Sequence, residues 1–170
     1  MSEQKDVIFR EVQSFGLWIR LFSVASMLFG VVIMLYAKAT SGSLNEPLSI
    51  LLTGGLALLL LGLAVLFFVV RLETEVRRDG LYFRFFPIHI HYKKLRAGEL
   101  VDCYARQYRP IREYGGWGIR CGLKGGRAYN VKGNRGVQLV LDDGRRLLIG
   151  SQKPDQLAEA ITSLRQLAGR

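Results

Sequence analysis

Residues 50–70 read ILLTGGLALLLLGLAVLFFVV, a run of 21 residues without a charge and without a proline. A helix of about 20 apolar residues crosses the roughly 30 Å hydrocarbon core of a bilayer. A second uncharged run occupies residues 21–37, and it reaches spanning length when it begins near Leu17 and carries Arg20 at its edge. An arginine one turn inside a helix end can extend its side chain to the headgroups. The sequence therefore predicts a two-helix transmembrane hairpin, residues 17–37 and 50–70.

Two other classes of protein contain such runs. A cleavable signal peptide has an apolar core of about 7–15 residues near the amino terminus, followed by a small-residue cleavage site. Here the first run starts later, is longer and is followed by another. A pair of buried helices in a soluble protein carries a polar stripe, and residues 56–70 have none. Both comparisons favour the membrane hairpin.

Lysine and arginine flank the predicted hairpin on its outer sides. Three basic residues precede or open the first helix and three follow the second: Lys5, Arg10, Arg20, Arg71, Arg77 and Arg78. The connecting residues 38–49 hold one basic side chain, Lys38, and one acid, Glu46. Because flanking Lys and Arg stay on the cytoplasmic side, we predict a multi-pass protein of the cell (inner) membrane with both termini cytoplasmic.

The formal net charge of +10 is confined to one part of the chain. Residues 1–70 hold four basic and four acidic side chains, so residues 71–170 carry the whole excess. A basic domain tethered to a membrane lies against anionic lipid headgroups, where each Lys or Arg contributes about 1 kcal/mol. The excess is interpreted either as a general membrane-proximal face or as a surface for a specific anion.

Residues 1–16 form an amphipathic N-terminal segment. Val7, Ile8, Val12 and Phe15 recur in it at roughly helical spacing, with charged residues between them. This pattern is typical of a helix that lies in the membrane interface, or of the first turns of a longer helix that continues inward.

Residues 71–170 show the period-two pattern of strands, and we predict that they form one cytoplasmic domain. Asp-Gly turns at Asp79-Gly80 and Asp143-Gly144 mark two hairpins. Further strands are predicted at residues 88–93, 100–108, 119–121 and 128–130. A closing helix begins at Pro154 and carries an apolar stripe made of Leu157, Ile161, Leu164 and Ala168. About seven strands and one helix predict a small antiparallel barrel or sandwich that the helix closes.

The order of these elements, together with residues 114–120 (YGGWGIR), resembles the bacterial pleckstrin-homology-like membrane proteins. The same pattern matches residues 128–131, 136–137, 143–144 and 148–154, so its specific motifs lie within residues 79–157. The resemblance implies an α+β membrane protein: a two-helix transmembrane hairpin, then a PH-like split β-barrel of about seven antiparallel strands capped by a C-terminal helix. Eukaryotic pleckstrin-homology domains often bind phosphoinositides through a basic loop between the first two strands. Here that loop is expected at residues 77–80, a tight turn without room for a phosphate pocket.

A glycine-rich loop around Trp117 is the most distinctive motif. Its glycines permit positive φ or close backbone approach, and Trp117 either packs over the barrel or acts as a surface wedge into a partner or the bilayer interface. The candidate partner-binding residues are Tyr114, Gly116, Trp117 and Arg120.

Two basic, glycine-rich turns follow at residues 122–127 and 132–136. Backbone amides together with Lys or Arg can hold an anion such as phosphate, and hairpin turns with solvated charges are the alternative. The candidate anion-binding residues are Arg120, Lys124, Arg127, Lys132 and Arg135.

No metal, cofactor or catalytic site is expected. His89 and His91 supply two of the four ligands of a structural zinc, and Cys103 and Cys121 do not form a Cys-x-x-Cys pair. A disulfide is not expected between cytoplasmic thiols. Basic and aromatic residues alternate between 104 and 114, but no nucleic acid partner is expected for a domain held at a membrane.

These observations predict a non-enzymatic, membrane-anchored interaction module. It would bind a protein partner or self-associate at the cytoplasmic face, as an assembly or scaffold component of a membrane complex. The alternative is a domain that senses an anionic lipid or a small anion. A transporter component would need polar residues inside the spans, where only Ser23, Ser26 and Thr53 accompany Arg20.

Overall fold

The computed structural model describes residues 7–41, 47–122 and 126–168 of the chain. The chain separates into two compact units. The helix unit is Phe15–Val70, and the sheet unit combines Arg71–Arg170 with the segment that ends at Ser14. The helices are therefore an insertion within the sheet unit, which begins before them and resumes after them.

The helix unit contains α1 (Leu17–Ser41) and α2 (Pro47–Val69). Both helices are long and apolar enough to cross a membrane, over Leu17–Ala37 and Leu51–Val69. Within the unit they pack closely at Gly30, where a Cβ atom would lie 2.8 Å from Cδ1 of Leu60. Small residues allow such close approach of apolar helices. The apolar side chains on the other faces of the two helices remain exposed.

Residues 7–14 form a strand, so the helical prediction for this segment is wrong. Strand β1 (Val7–Ser14) pairs antiparallel with β2 (Arg71–Arg77), and Ser14 lies opposite Arg71. Exposure alternates along β1 from Ile8 to Val12, as it does on a strand with one covered face. The apolar residues of the strand, Val7, Ile8, Phe9 and Val12, do not alternate with a period of two, and the partner strand that identifies the segment as a strand lies beyond both helices. The prediction for residues 1–6 falls outside the described part of the chain.

Sheet A consists of β1, β2, β3 (Gly80–Phe86) and β4 (Lys93–Leu95) in that order. The β2–β3 hairpin is confirmed at the Asp79-Gly80 turn. This turn joins the second and third strands, so it is not the loop between the first two strands, as the resemblance led us to expect. The predicted strand at residues 88–93 is also wrong, because residues 87–92 form a loop and only Lys93–Leu95 pairs with β3.

Sheet B contains five strands in the order β5-β8-β9-β7-β6. They are β5 (Leu100–Gln107), β6 (Gly118–Cys121), β7 (Arg127–Asn130), β8 (Arg135–Leu141) and β9 (Arg146–Gly150). The β7–β9 pair is parallel, which corrects the prediction of a wholly antiparallel domain. Over the described ranges no strand pairing joins sheet A to sheet B, so of the predicted barrel or sandwich no closed barrel is found. A short helix, α3 (Pro110–Tyr114), follows β5 in the region predicted to be irregular.

The C-terminal helix α4 (Pro154–Ala168) is confirmed and packs on β5 and β8 of sheet B and on β1 and β2 of sheet A. Leu157, Ile161 and Leu164 are buried in this contact. Strand β1 also ties the two sheets together through side chains. The Gln13 side chain donates a buried hydrogen bond of 2.6 Å to the Gly150 carbonyl at the end of β9. Glu11 accepts a bond of 2.6 Å from the Ser151 hydroxyl.

Candidate functional site

A cleft of about 780 Å³ lies between sheets A and B. Its walls come from β4, from the chain around the β6–β7 connection and from the β8–β9 turn. Buried apolar side chains of Phe83, Leu141 and Leu147 form part of its lining. A cleft of this size is in the range that holds a small ligand.

Five cationic side chains line this cleft, and none of its described lining residues is Asp or Glu. The five are Lys93, Lys94, Arg127, Arg145 and Arg146. Lys94 forms an ion pair of 2.5 Å with Asp79, and Arg145 pairs with Asp143. Among the described residues, the other three have no carboxylate within 4.0 Å. The cleft therefore carries an uncompensated positive charge over an apolar lining.

Two of these cations lie on the neighbouring parallel strands β7 and β9. Arg127 is the register partner of Leu147, so it lies beside Arg146, the first residue of β9. Gly126 allows this approach, because it has φ +90° and a Cβ atom there would lie 2.7 Å from the Arg146 carbonyl oxygen. L-residues with side chains rarely adopt such a φ. The local sequence thus needs glycine immediately before Arg127.

Tyr129 contacts residues of β3 and β4 at the β4 side of the cleft. Its ring packs edge-on against Phe83 with centroids 5.0 Å apart, and Lys93 lies over it at 5.4 Å. Lys93 also donates a hydrogen bond of 3.1 Å to the Tyr129 hydroxyl. At the rim, the hydrogen bond between Lys94 and Asp79 raises the pKa of Lys94 and lowers the pKa of Asp79. Both rim residues are therefore charged at neutral pH.

The predicted anion-binding residues do not form one site. Arg127 lines the cleft. Arg120 donates to the Trp117 carbonyl at 3.0 Å, and Arg135 pairs with Asp155 at 3.1 Å. Lys132 belongs to the turn after β7, where its carbonyl accepts a bond from Gln152. Lys124 lies outside the described residues.

The predicted partner-binding residues lie at one end of β6, but they differ in exposure. Tyr114 is buried against Tyr108 with ring centroids 6.0 Å apart, and its hydroxyl accepts a bond from Arg106. Gly116 has φ +125°. Trp117 is 41% exposed, and its indole nitrogen donates to the Gly133 carbonyl at 2.9 Å. Trp117 and Arg120 are at the surface, whereas Tyr114 belongs to the core.

Four of the five cations that line the cleft are not among the anion-binding residues predicted from the sequence. Lys93 and Lys94 belong to a short strand, and Arg145 and Arg146 follow the Asp143-Gly144 turn. The available signal was the presence of two dibasic pairs, each next to a predicted strand. That the two pairs face each other depends on the contact between the sheets, which no local pattern encodes.

A second charged cluster occupies the other face of β2, and we call it the Glu73 cluster. The Glu73 carboxylate forms ion pairs with Arg71 at 2.6 Å and with Arg84 at 2.8 Å. It also accepts a hydrogen bond of 2.5 Å from the Tyr92 hydroxyl. Burial alone would raise the pKa of Glu73, but the hydrogen bonds from Tyr92 and Arg84 outweigh it and lower the pKa. Burial and the bond to Glu73 raise the pKa of Tyr92 to about 12. With its acceptors occupied, this cluster is a structural network.

Side chains of the types that can ligate a metal are scattered over the sheet unit. No group of three or more His, Cys, Asp or Glu side chains suited to a metal occurs within residues 7–41, 47–122 and 126–168. Cys103 and Cys121 are both free thiols. The chemistry that the sheet unit concentrates in one place is therefore the positive charge of the cleft.

The architecture and the cleft define an α+β protein in which two long apolar helices interrupt a two-sheet unit. This chain belongs to a family of unknown function (DUF6141), whose model matches residues 2–166. No curated protein and no solved structure matches the chain.

Proposed function

We propose that this protein is a membrane-anchored, non-enzymatic module that binds an anionic ligand in the cleft between its two sheets. The observation that carries the proposal is the lining of the cleft, with five cations, no described acid and an apolar wall. Three of those cations have no carboxylate partner among the described residues. An anion that enters replaces water around them and gains charge-assisted hydrogen bonds.

In this proposal α1 and α2 cross the bacterial inner membrane. Their apolar, exposed surfaces support the anchor. The pairing of β1 with β2 requires the chain before α1 and the chain after α2 to lie on the same side of that membrane. The Lys and Arg residues on these flanks favour the cytoplasmic side.

The chemistry of the cleft selects the class of ligand. The arginines that line the cleft suit a phosphate or carboxylate group, and Phe83, Leu141 and Leu147 suit an apolar body attached to it. Such an anion is either a lipid headgroup with part of its chain or a soluble metabolite.

Titration calorimetry of the full chain in neutral-lipid nanodiscs tests the proposal. One arm adds pyrophosphate, and the other adds a short-chain phosphatidylglycerol below its micelle concentration. Arg127→Gln combined with Arg146→Gln is expected to weaken binding at least about tenfold, because each lost charged hydrogen bond is worth about 1.5–3 kcal/mol.

The matched control is Lys132→Gln combined with Arg135→Gln, which removes the same charge outside the cleft. This pair is expected to leave binding unchanged at moderate salt. Equal losses in both double variants would mean that only the total charge matters, and they would overturn the cleft. Binding of one probe but not the other identifies the source of the ligand.

A second candidate function is protein binding or self-association through the loop around Trp117. The exposed ring, fixed by its hydrogen bond to Gly133, favours it. Rigid, partly exposed aromatics are common anchors of interfaces. Sedimentation velocity of the full chain in detergent tests self-association, and Trp117→Ala is expected to shift any oligomer to monomer.

The PH-like fold is retained as part of the proposal. A four-stranded sheet, a second sheet that contains the β5-β8-β9 order and a helix packed across both support it. Under that assignment the helix pair occupies the connection between the first two strands, the place of the phosphoinositide loop in eukaryotic domains.

A further inference from the structure

The loop between β3 and β4, residues 87–92, leaves sheet A at the end where the chain connects to the helices. Ser14, Arg71 and Phe86 are neighbours across the three strands at that end. Two residues separate Ser14 from the start of α1, and one residue separates α2 from Arg71. The loop therefore begins beside the two points where the helix pair is attached.

The backbone of this loop is held in place by its neighbours. The His89 amide donates to the Phe85 carbonyl at 2.8 Å, and the His89 ring packs against Tyr129. Arg84 donates to the Ile90 carbonyl at 3.3 Å. Tyr92 ends the loop with its bond of 2.5 Å to Glu73. The positions of the side chains between these anchors are consequently fixed.

Two isoleucines point out of this fixed loop. Ile88 is 66% exposed and Ile90 is 69% exposed, with the half-buried His89 between them. Their exposure is unfavourable in water, because the transfer of apolar surface out of water lowers the free energy. An aromatic ring and two arginines lie at the start of the loop. Phe86 lies under the guanidinium groups of Arg71 and Arg84, at 4.9 and 6.0 Å from the ring centroid.

We propose that the residue 87–92 loop inserts Ile88 and Ile90 into the lipid bilayer, as a third membrane contact beside the two helices. Apolar side chains enter the boundary between headgroups and acyl chains, while Arg and Lys remain with the anionic headgroups. The bilayer is chosen over a protein occupant because the loop starts at the points where the helix pair is attached to sheet A. The inference rests on the anchoring part of the proposed function and adds a membrane contact made by the sheet unit itself.

Depth-dependent fluorescence quenching tests the inference on the full chain. The native thiols are removed by Cys103→Ser and Cys121→Ser, and a polarity-sensitive dye is attached at Ile88→Cys or at Ile90→Cys. The protein is placed in nanodiscs of phosphatidylcholine and phosphatidylglycerol. Quenching is measured with aqueous iodide and with lipids that carry a nitroxide near the headgroup end of the acyl chain.

Two further labelled positions serve as references. Ile111→Cys is the matched control, because Ile111 is 68% exposed on α3 and is not part of the loop. Leu59→Cys on α2 reports whether the helices are in the bilayer, since Leu59 is exposed on the helix unit. Lipid quenching at positions 88 and 90 is expected to exceed that at 111 by about twofold or more, with a blue-shifted emission.

Each outcome has one meaning. Lipid quenching at 59, 88 and 90 but not at 111 supports the loop insertion. Lipid quenching at 59 with strong iodide quenching at 88 and 90 overturns the loop insertion and leaves the anchor intact. A blue shift at 88 and 90 without lipid quenching assigns the loop to a protein contact and also overturns it. Absence of lipid quenching at 59 overturns the anchor and the loop together.

Discussion

Glu73 has 6% of its side chain exposed and is surrounded by the donors of Arg71, Arg84 and Tyr92. These bonds outweigh the effect of burial and hold the pKa of Glu73 below its ordinary value of 4.5. A carboxyl whose pKa falls on folding stabilises the folded state above the unfolded-state pKa. That stabilisation is lost as the pH falls through the folded-state pKa.

We therefore predict that Glu73→Gln destabilises the sheet unit by about 1.5–3 kcal/mol at neutral pH, because it removes charge-assisted hydrogen bonds that the partly exposed Arg71 and Arg84 donate to the buried carboxylate. The same change is expected to reduce the loss of stability of the protein as the pH falls from about 4.5 through the lowered pKa of Glu73. Thermal unfolding of the full chain in detergent, followed by near-UV circular dichroism, measures both effects. Glu159→Gln on the exposed face of α4 is the control and is expected to change neither. A Glu73→Gln variant with the pH dependence of the unmodified protein contradicts the prediction.

Gly136 illustrates a close contact between neighbouring strands. A Cβ atom at this position would collide with the Ile149 carbonyl oxygen and lie 3.0 Å from the Gly150 Cα atom. Gly136→Ala is expected to destabilise the fold by about 2 kcal/mol, the usual cost of overpacking. Gly98→Ala is the matched control, because nothing lies within 4 Å of its added methyl group. Equal unfolding midpoints for the two variants would contradict the close contact.

At the same scale, the sequence identified one of the five described cations of the cleft. Arg127 was found because it lies in a basic, glycine-rich turn, which is a local pattern. Lys93 and Arg146 are about 50 residues apart and meet only through the contact between the sheets. A local sequence pattern gives no information about a contact between residues so far apart in the chain, so the cleft is visible only in the structure.

Strand β1 makes the largest difference between the sequence-based and the observed elements. Hairpins with Asp-Gly turns and the helix α4 follow from local residues, and they were predicted correctly. The β1–β2 pair joins residues on either side of two helices, and the parallel β7–β9 pair joins non-consecutive strands. Neither pair of strands is joined by a turn motif from which the pairing could be predicted. The first segment therefore shows helical spacing and no local signal that predicts a strand.

The register of β1 leads to a prediction about truncated proteins. Ser14 and Arg71 are opposite each other, so a hairpin loop of about two to five residues can join them in place of the helices. A fusion of residues 7–14 through such a loop to residues 71–170 is expected to be soluble, folded and cooperative in thermal unfolding. Residues 71–170 alone are expected to be unstable, because they leave the edge of β2 uncovered and lose the Gln13 bond to Gly150.

Circular dichroism and the dispersion of amide signals in solution NMR compare the two fragments. The fusion with Gln13→Ala is the graded control, expected to lose about 1–3 kcal/mol through the unsatisfied Gly150 carbonyl. A fragment of residues 71–170 that unfolds at the same temperature as the fusion would show that β1 is dispensable.

For the molecule as a whole, the proposal predicts that both flanks of the helix pair share one side of the membrane. Intact spheroplasts that carry Cys103→Ser and Leu44→Cys are treated with a membrane-impermeant maleimide. Position 44, between the helices in the chain, is expected to react from outside. The native Cys121, which is exposed on the sheet unit, is expected to react only after permeabilisation. Labelling of Cys121 in intact spheroplasts would contradict the orientation, and release of the protein by alkaline carbonate would contradict the anchor.

The pairing of β1 with β2 also imposes an order on biosynthesis. β1 leaves the ribosome before either helix, and its partner leaves only after both. A chain in which a single helix crossed the membrane would leave the two strands on opposite sides, and sheet A could not form. Under the proposed anchoring, formation of sheet A therefore distinguishes a chain with a single membrane crossing from a chain whose two flanks share one side of the membrane.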